Sequence, residues 1–299
     1  MRADGTARST PIAWYWRLGG FAAAFLAATM LARGTRFLLT GRARLPPGPN
    51  ASAEPYFLLY RATGVAAVLA ATWFALRLLD RRRFSDIGLG GGVRAAARDV
   101  AKGAVLVSTI FIAGFACLAA AGQVRIVSAG PDWRAVLLHA IPATALIALY
   151  EELLFRGYPF QVLVQRFRPV TAIVIFALAF GLMHCSNPGM TIVGAAATGL
   201  WSVLLGVLVV RSRSLWTCIG FHFAGNFMQN TVLGSPTSGM TFGTSMLTVD
   251  LAPTAFAGSP TGIEASVPVL LAGAIAVGWI LRGQLWAPRL GAGVLFSRR

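Results

Sequence analysis

Carboxylates are scarce in this chain of 299 residues. There are ten, Asp4, Glu54, Asp80, Asp86, Asp99, Asp132, Glu151, Glu152, Asp250 and Glu264, against 26 basic residues, all arginine except Lys102. Charged residues make up 12% of the chain, about half of the roughly 25% usual in soluble proteins. With 56% hydrophobic residues, that composition excludes an ordinary water-soluble chain of this length. A formal charge of +16 would suit nucleic acid. The arginines, however, fall in short gaps between long apolar runs and form no arm or single face, so no nucleic-acid partner is expected and the pattern points to a lipid bilayer. Cysteine is also rare. Cys117, Cys185 and Cys218 each lie in apolar sequence and read as small buried hydrophobes, which excludes a disulfide frame or a thiolate metal site. There is no internal repeat at a spacing of about 20 to 50 residues.

What the sequence does contain is apolar runs. A helix needs roughly 20 apolar residues to cross a bilayer of about 30 Å, and eight stretches qualify, near 12–32, 56–79, 103–124, 135–165, 169–187, 190–210, 215–233 and 266–284. The expected fold is all-α, a polytopic membrane helix bundle of about eight transmembrane helices. Arginine and lysine are retained on the cytoplasmic side of such spans. Alternating the gaps between two sides puts nineteen basic residues on one and seven on the other, which predicts that both termini are cytoplasmic. Arg2, Arg8 and Arg17 followed by apolar Leu18 to Ala32 also resemble a secretory signal; retention of this span is expected, because no convincing small-x-small cleavage site precedes Arg33.

Three regions follow. Residues 1–102 hold two spans and a basic cytoplasmic loop, whose 93–100 stretch has the composition of a short surface helix, although a solvated basic loop is the simpler reading. Residues 103–233 form the membrane core. Residues 234–299 comprise a loop rich in Gly, Ser, Thr and Pro, expected to be flexible and outward-facing, then the last span and a basic tail. Residues 33–55, with Leu-Pro-Pro-Gly-Pro, read as an extended external connection.

Ionisable groups at membrane depth are expensive and mark function by default. Between Ala135 and Leu233 there are two acids, Glu151 and Glu152, and three histidines, His139, His184 and His222. Glu152 and Arg156 are four apart on a helix and close enough to pair, leaving Glu151, about 100° round the helix, to face another neighbour. His222 and Asn226 are also four apart on one face. The midpoint between Glu151 and His184 falls at Phe167 and Arg168, in a basic, proline-ended turn. An antiparallel hairpin about that turn places both roughly 24 Å from it. His222 lies about 13 Å from the end of its own helix, so the hairpin must project about 11 Å further. This puts the site inside the membrane, displaced toward the cytoplasmic face. His139 is about 18 Å from Glu151 along the helix and is left out.

A carboxylate and an imidazole converging in a low-dielectric pocket suit water activation, and Asn226 and His222 offer N–H donors to a developing oxyanion. That combination specifies acyl hydrolysis. Ser186 and Cys185 follow His184 directly and keep a nucleophilic route open. Two other classes compete: a haem-binding protein with His184 and His222 as axial ligands, and a non-catalytic scaffold or transporter with the carboxylates as a proton relay.

Glu-Glu-x-x-x-Arg at Glu151, Glu152 and Arg156, Phe-x-x-x-His at Phe180 and His184, and His-x-x-x-Asn at His222 and Asn226 resemble, in order and spacing, the three motifs of the CAAX protease and bacteriocin-processing (CPBP) family of intramembrane proteases, which includes the type II CAAX prenyl endopeptidases. The resemblance runs from about 132 to 229, and Phe84-Ser-Asp-Ile-Gly-Leu89 looks like a segment common upstream in that family. It implies a membrane endopeptidase acting on a membrane-associated peptide or protein, a C-terminal CAAX-like or leader peptide among the options, in the bacterial cytoplasmic membrane. Glu151 and His184 would activate water, His222 and Asn226 would hold the oxyanion, and Glu152 and Arg156 would organise the helix. A zinc-dependent version would use Glu151, His184 and His222 as ligands. The metal-free version is the expectation, since there is no His-Glu-x-x-His and an Asn side chain donates hydrogen bonds better than it ligates.

Overall fold

The structure, a computed structural model, describes residues 12–44, 56–130, 132–241 and 245–282. Every apolar run is helical. In chain order these are α1 (Trp14–Thr40), α2 (Phe57–Phe74) with a π-helical continuation over Ala75–Leu79, and α3 (Gly92–Ala120). A short α4 (Trp133–Ala135) and a π turn over Val136–Ala140 lead into α5 (Ile141–Phe155). After it come α6 (Tyr158–Arg166), α7 (Pro169–His184) and α8 (Ile192–Ser212). Last are α9 (Leu215–Asn226), extended as a π helix over Phe227–Val232, and α10 (Val267–Arg282). Trp14–Thr40, Phe57–Leu79, Phe84–Ala120, Trp133–Arg166 and Ile192–Ser212 are long and apolar enough to cross a membrane. Leu31, Leu182 and Ile275, each more than 70% exposed, point away from the bundle, where lipid tails solvate them as well as a protein core would. The chain is a polytopic helical membrane bundle.

Local sequence sets the ends. Asp132 caps α4 by accepting from the Arg134 and Ala135 amides, Thr191 caps α8 through Gly194 N–H, and Pro169 starts α7 where no helical donor is needed. α1 continues two turns past its expected end, through Arg33 and Arg36. Arg36 is buried because Thr63 accepts from its Nη1 at 2.9 Å and its guanidinium lies over the Tyr60 ring, so the first charge does not stop the helix. Gly41, at φ 69°, does. The proline-rich part of the expected connection, 45–49, lies outside the described residues, as do Arg2, Arg8, Arg289, Arg298 and Arg299. The 93–100 stretch is the first part of α3, not a separate surface helix.

The α5–α6 helix is interrupted at Arg156 and Gly157, where a Cβ on Gly157 would collide with the Leu153 carbonyl. The hairpin register nevertheless holds on both sides of the break. Phe155 meets Phe180 and Phe160 meets Phe176, pairs symmetric about Phe167 and Arg168, as Glu151 and His184 are. Gln161 Nε2 donates to the Ile87 carbonyl and Leu215 N–H to the Gly88 carbonyl. The α8–α9 turn therefore sits level with the middle of α6, and the 167–168 turn extends past it, as the depth arithmetic requires.

α3 packs most extensively on α9, through glycine: a Cβ at Gly103 would strike the Thr217 carbonyl, and one at Gly220 the Val100 backbone. Backbones this close seat His222 firmly. Gly220→Val should cost about 1–3 kcal/mol by overpacking, read as a lower unfolding temperature in detergent, together with reduced activity because His222 is two residues away.

The described residues of the 234–265 segment, all but 242–244, do not form the flexible loop that their composition predicts. β1 (Val124–Ala129) pairs antiparallel with β2 (Leu247–Leu251), Val124 opposite Leu251. Ser235, Thr237, Thr261, Ile263 and Glu264 are buried, and their polar groups find partners within the segment, as Ser235 Oγ does on Ile263 N–H, or on Thr191, Gln229 and Asn230 outside it.

Candidate active site

α5 delivers two carboxylates from its C-terminal part, and their separation of about 100° round the helix gives them different neighbours. Glu152 is fully buried. Its Oε1 accepts from Arg156 Nη1 at 3.1 Å and from His222 Nδ1 at 2.7 Å. Arg156, 1% exposed, has its other Nη donating to Ser202 Oγ at 2.7 Å, and its guanidinium lies 4.7 Å over the Phe180 ring. Gln161 Nε2 donates to the Arg156 carbonyl left free at the helix end. Hydrogen bonds from α8 and α9 flank the pair, while Glu152 Oε2 is buried without a partner among the described residues.

Glu151 faces the other way. Its Oε2 lies 4.0 Å from His184 Nε2 and 3.7 Å from His222 Nε2. His184, the last residue of α7, has Nδ1 at 2.7 Å from the Phe180 carbonyl. A carbonyl only accepts, so Nδ1 carries a proton and donates, and Nε2 is the ring nitrogen turned toward Glu151. The ring is held against Phe180, centroids 4.6 Å apart. Asn226, one turn beyond His222, lines the same cavity with its side chain half-buried. Of the six residues singled out from the sequence, Glu151, His184, His222 and Asn226 line one space of about 260 Å³, and Glu152 and Arg156 stand behind it, joined to it through His222. His139 does not; it packs against Phe57. Cys185 and Ser186 are exposed and off the cavity wall.

Two charged residues of this cavity escaped the sequence reading. Glu264 lies between the last strand and α10, in a stretch read as loop. Its Oε2 accepts from Gln229 Nε2 at 2.7 Å, its Oε1 from Ser238 N–H and Oγ, and its own N–H donates to Gln229 Oε1. Burial pushes its carboxyl above the ordinary carboxylate range, and the Gln229 and Ser238 bonds oppose that rise. The only signal in the sequence was the rarity of acids. The second, Arg61, sits within α2; its signal, an arginine inside an apolar run, was masked by assigning it to a loop charge.

Glu151, His184 and His222 are donor types that zinc accepts. Ligands at about 2.0–2.1 Å from a tetrahedral ion lie about 3.4 Å from one another. The Glu151 to histidine separations are wider, and no trio of His, Cys, Asp or Glu among the described residues is arranged to hold an ion. The donor chemistry suits the metal; the spacing does not close around it. A haem fares worse, since both Nε2 atoms face the same carboxylate oxygen where the macrocycle would have to lie.

No curated protein matches the chain. The family model described as type II CAAX prenyl endopeptidase Rce1-like matches residues 133–228, from the start of α4 to just beyond Asn226. That match supports a protease embedded in the membrane with a membrane-associated peptide or protein as substrate. The chain is an integral membrane protein whose 133–228 region, bearing Glu151, Glu152, Arg156, His184, His222 and Asn226, is Rce1-like.

Proposed function

We propose that the protein is an intramembrane endopeptidase of the bacterial cytoplasmic membrane, hydrolysing a peptide bond in a membrane-associated substrate of the C-terminal CAAX-like or leader kind. The observation that carries this reading is the pair of acceptors at the cavity: Glu151 Oε2 and the His184 Nε2 lone pair, 4.0 Å apart. A water about 2.8 Å from each forms a triangle on that base. It donates one hydrogen to each acceptor, which leaves its lone pairs directed into the cavity.

On attack the water oxygen bonds to the scissile carbonyl carbon, its proton passes to Glu151, and the carbonyl π pair moves onto oxygen. His222 Nδ1–H is engaged by Glu152, so its Nε2 donates only as an imidazolium, the form that the Glu152 carboxylate stabilises. That N–H and the Asn226 amide receive the oxyanion. Collapse breaks the C–N bond, and the proton on Glu151 goes to the leaving nitrogen. Arg156 holds Glu152 in place. It acts through His222, not on the substrate.

The reaction needs no metal in this scheme. Activity of the purified protein in lipid nanodiscs, on a lipidated C-terminal peptide, should persist after 1,10-phenanthroline and EDTA treatment. Complete loss restored by zinc would replace this scheme with a Glu151, His184 and His222 ligand set.

A further inference from the structure

Glu264 reaches the wall of the Glu151 cavity from a segment that lies beyond the Rce1-like region, 133–228. Its buried carboxylate accepts on both oxygens, Oε2 from Gln229 Nε2 at 2.7 Å and Oε1 from Ser238 N–H at 2.6 Å and Oγ at 2.9 Å. The Glu264 N–H donates to Gln229 Oε1 at 3.1 Å, so the Gln229 amide is gripped through both its nitrogen and its oxygen. The Glu264 carbonyl accepts from Trp201 Nε1 at 3.0 Å. Trp201, Gln229 and Ser238 all line the cavity, and one residue thus joins walls supplied by α8, by the continuation of α9 and by the 235–264 segment. What the grip holds is irregular backbone. The chain winds as an α helix up to Asn226 and as a π helix over Phe227–Val232, and short π stretches inside α-helices are frequent at functional sites. Gln229 lies within this one, three residues past Asn226, and its carbonyl accepts from Ser235 N–H. Ser238 sits at φ 47°, a left-handed value that a serine keeps only where its surroundings impose it.

We propose that Glu264 is a positioning residue of the hydrolytic site: by gripping Gln229 it fixes the turn that follows Asn226, and so aims the Asn226 amide at the developing oxyanion. The inference rests on the hydrolase reading and extends it to a residue beyond the three motifs. The bond pattern requires one carboxylate and one amide at this point. An amide in place of the Glu264 carboxylate has a single accepting oxygen. It would set N–H against N–H at Gln229 or at Ser238, and turning the Gln229 amide round would abandon the bond from the Glu264 N–H. Exchanging the two side chains satisfies every group. The amide at 264 then gives its N–H to the carboxylate at 229 and its oxygen to Ser238, while that carboxylate accepts from the main-chain N–H of 264.

Four variants in nanodiscs, assayed on a lipidated C-terminal peptide, test this: Glu264→Gln, the exchange Glu264→Gln with Gln229→Glu, Asn226→Ala, and Glu264→Gln with Asn226→Ala. Glu264→Gln should lower kcat by about 10- to 100-fold with KM within about twofold, part of the 10²–10³-fold that loss of an oxyanion donor costs. The exchange should restore most of that rate. In the Asn226→Ala background Glu264→Gln should cost less than about threefold, because the donor that it aims is already gone. Three results would each overturn the proposal while leaving the hydrolase reading intact, since the wild type still cleaves: full rate in Glu264→Gln, an exchange variant as slow as the single one, or the same fold-loss with and without Asn226. Should Glu264→Gln fail to fold, the exchange decides by itself. A folded and active exchange variant supports the grip, and one that is inactive or unfolded overturns it. A wild type that cleaves no peptide sinks the hydrolase reading and the positioning role together.

Discussion

Glu151→Gln should lower turnover by about 10²–10⁴-fold, the range that positioned proton transfer supplies, while the helices insert and unfold as in the wild type. The substitution keeps the shape of the side chain, whose ion-pair partners among the described residues are the two imidazoles at 3.7 and 4.0 Å. What it removes is the acceptor for the water proton. His184→Ala should be similarly severe, because it removes the second acceptor on the same water. The two losses should not add, since either leaves the water without its orientation. Retained turnover in purified Glu151→Gln, with intact far-ultraviolet circular dichroism, would remove the proposed base.

The largest effect on stability should come from splitting Glu152 and Arg156. Both are 1% exposed or less, so Arg156→Ala leaves Glu152 buried with only His222 against it. Breaking a buried pair on one side costs about 3–5 kcal/mol. The loss should appear as a marked fall in unfolding temperature and in the yield of folded protein from detergent. Replacing both partners with apolar or neutral residues, Glu152→Gln with Arg156→Met, should recover much of that stability, because no charge is then stranded. It should not recover activity, since His222 loses the carboxylate that holds its Nδ1–H. A double variant as unstable as Arg156→Ala would mean that shape at this point, and not charge, holds α5, α8 and α9 together.

The contrast between these two glutamates was readable from spacing alone. Neighbours on a helix point about 100° apart, and a single arginine four residues on can serve only one of them. The hairpin register was readable for a similar reason: pairs on antiparallel helices are symmetric about their turn, and a break at Gly157 that preserves the helix direction does not disturb that symmetry. Long apolar runs made the bundle itself legible. What failed were the segments whose structure comes from tertiary partners. α1 passes beyond Arg33 because Thr63 and Tyr60 on α2 accommodate Arg36. The 235–265 stretch, rich in Gly, Ser, Thr and Pro, folds because Glu264 gathers Gln229 and Ser238 across about thirty residues of chain, a pairing that no local pattern announces. Short β1 and β2 escaped for the same reason. Two charged cavity residues, Glu264 and Arg61, were therefore missed, while Glu151, Phe180, His184, His222 and Asn226 of the three short motifs line the cavity and Glu152 and Arg156 lie behind it.

The central claim is that water held between Glu151 and His184 cleaves a peptide bond. Mass spectrometry of the purified chain in nanodiscs, incubated in H₂¹⁸O with a lipidated C-terminal peptide, tests it most directly. The account predicts a shortened lipidated product carrying ¹⁸O in its new carboxylate, together with the released C-terminal fragment, and neither from Glu151→Gln. No product from the wild type, or the same product in equal amount from Glu151→Gln, would contradict it.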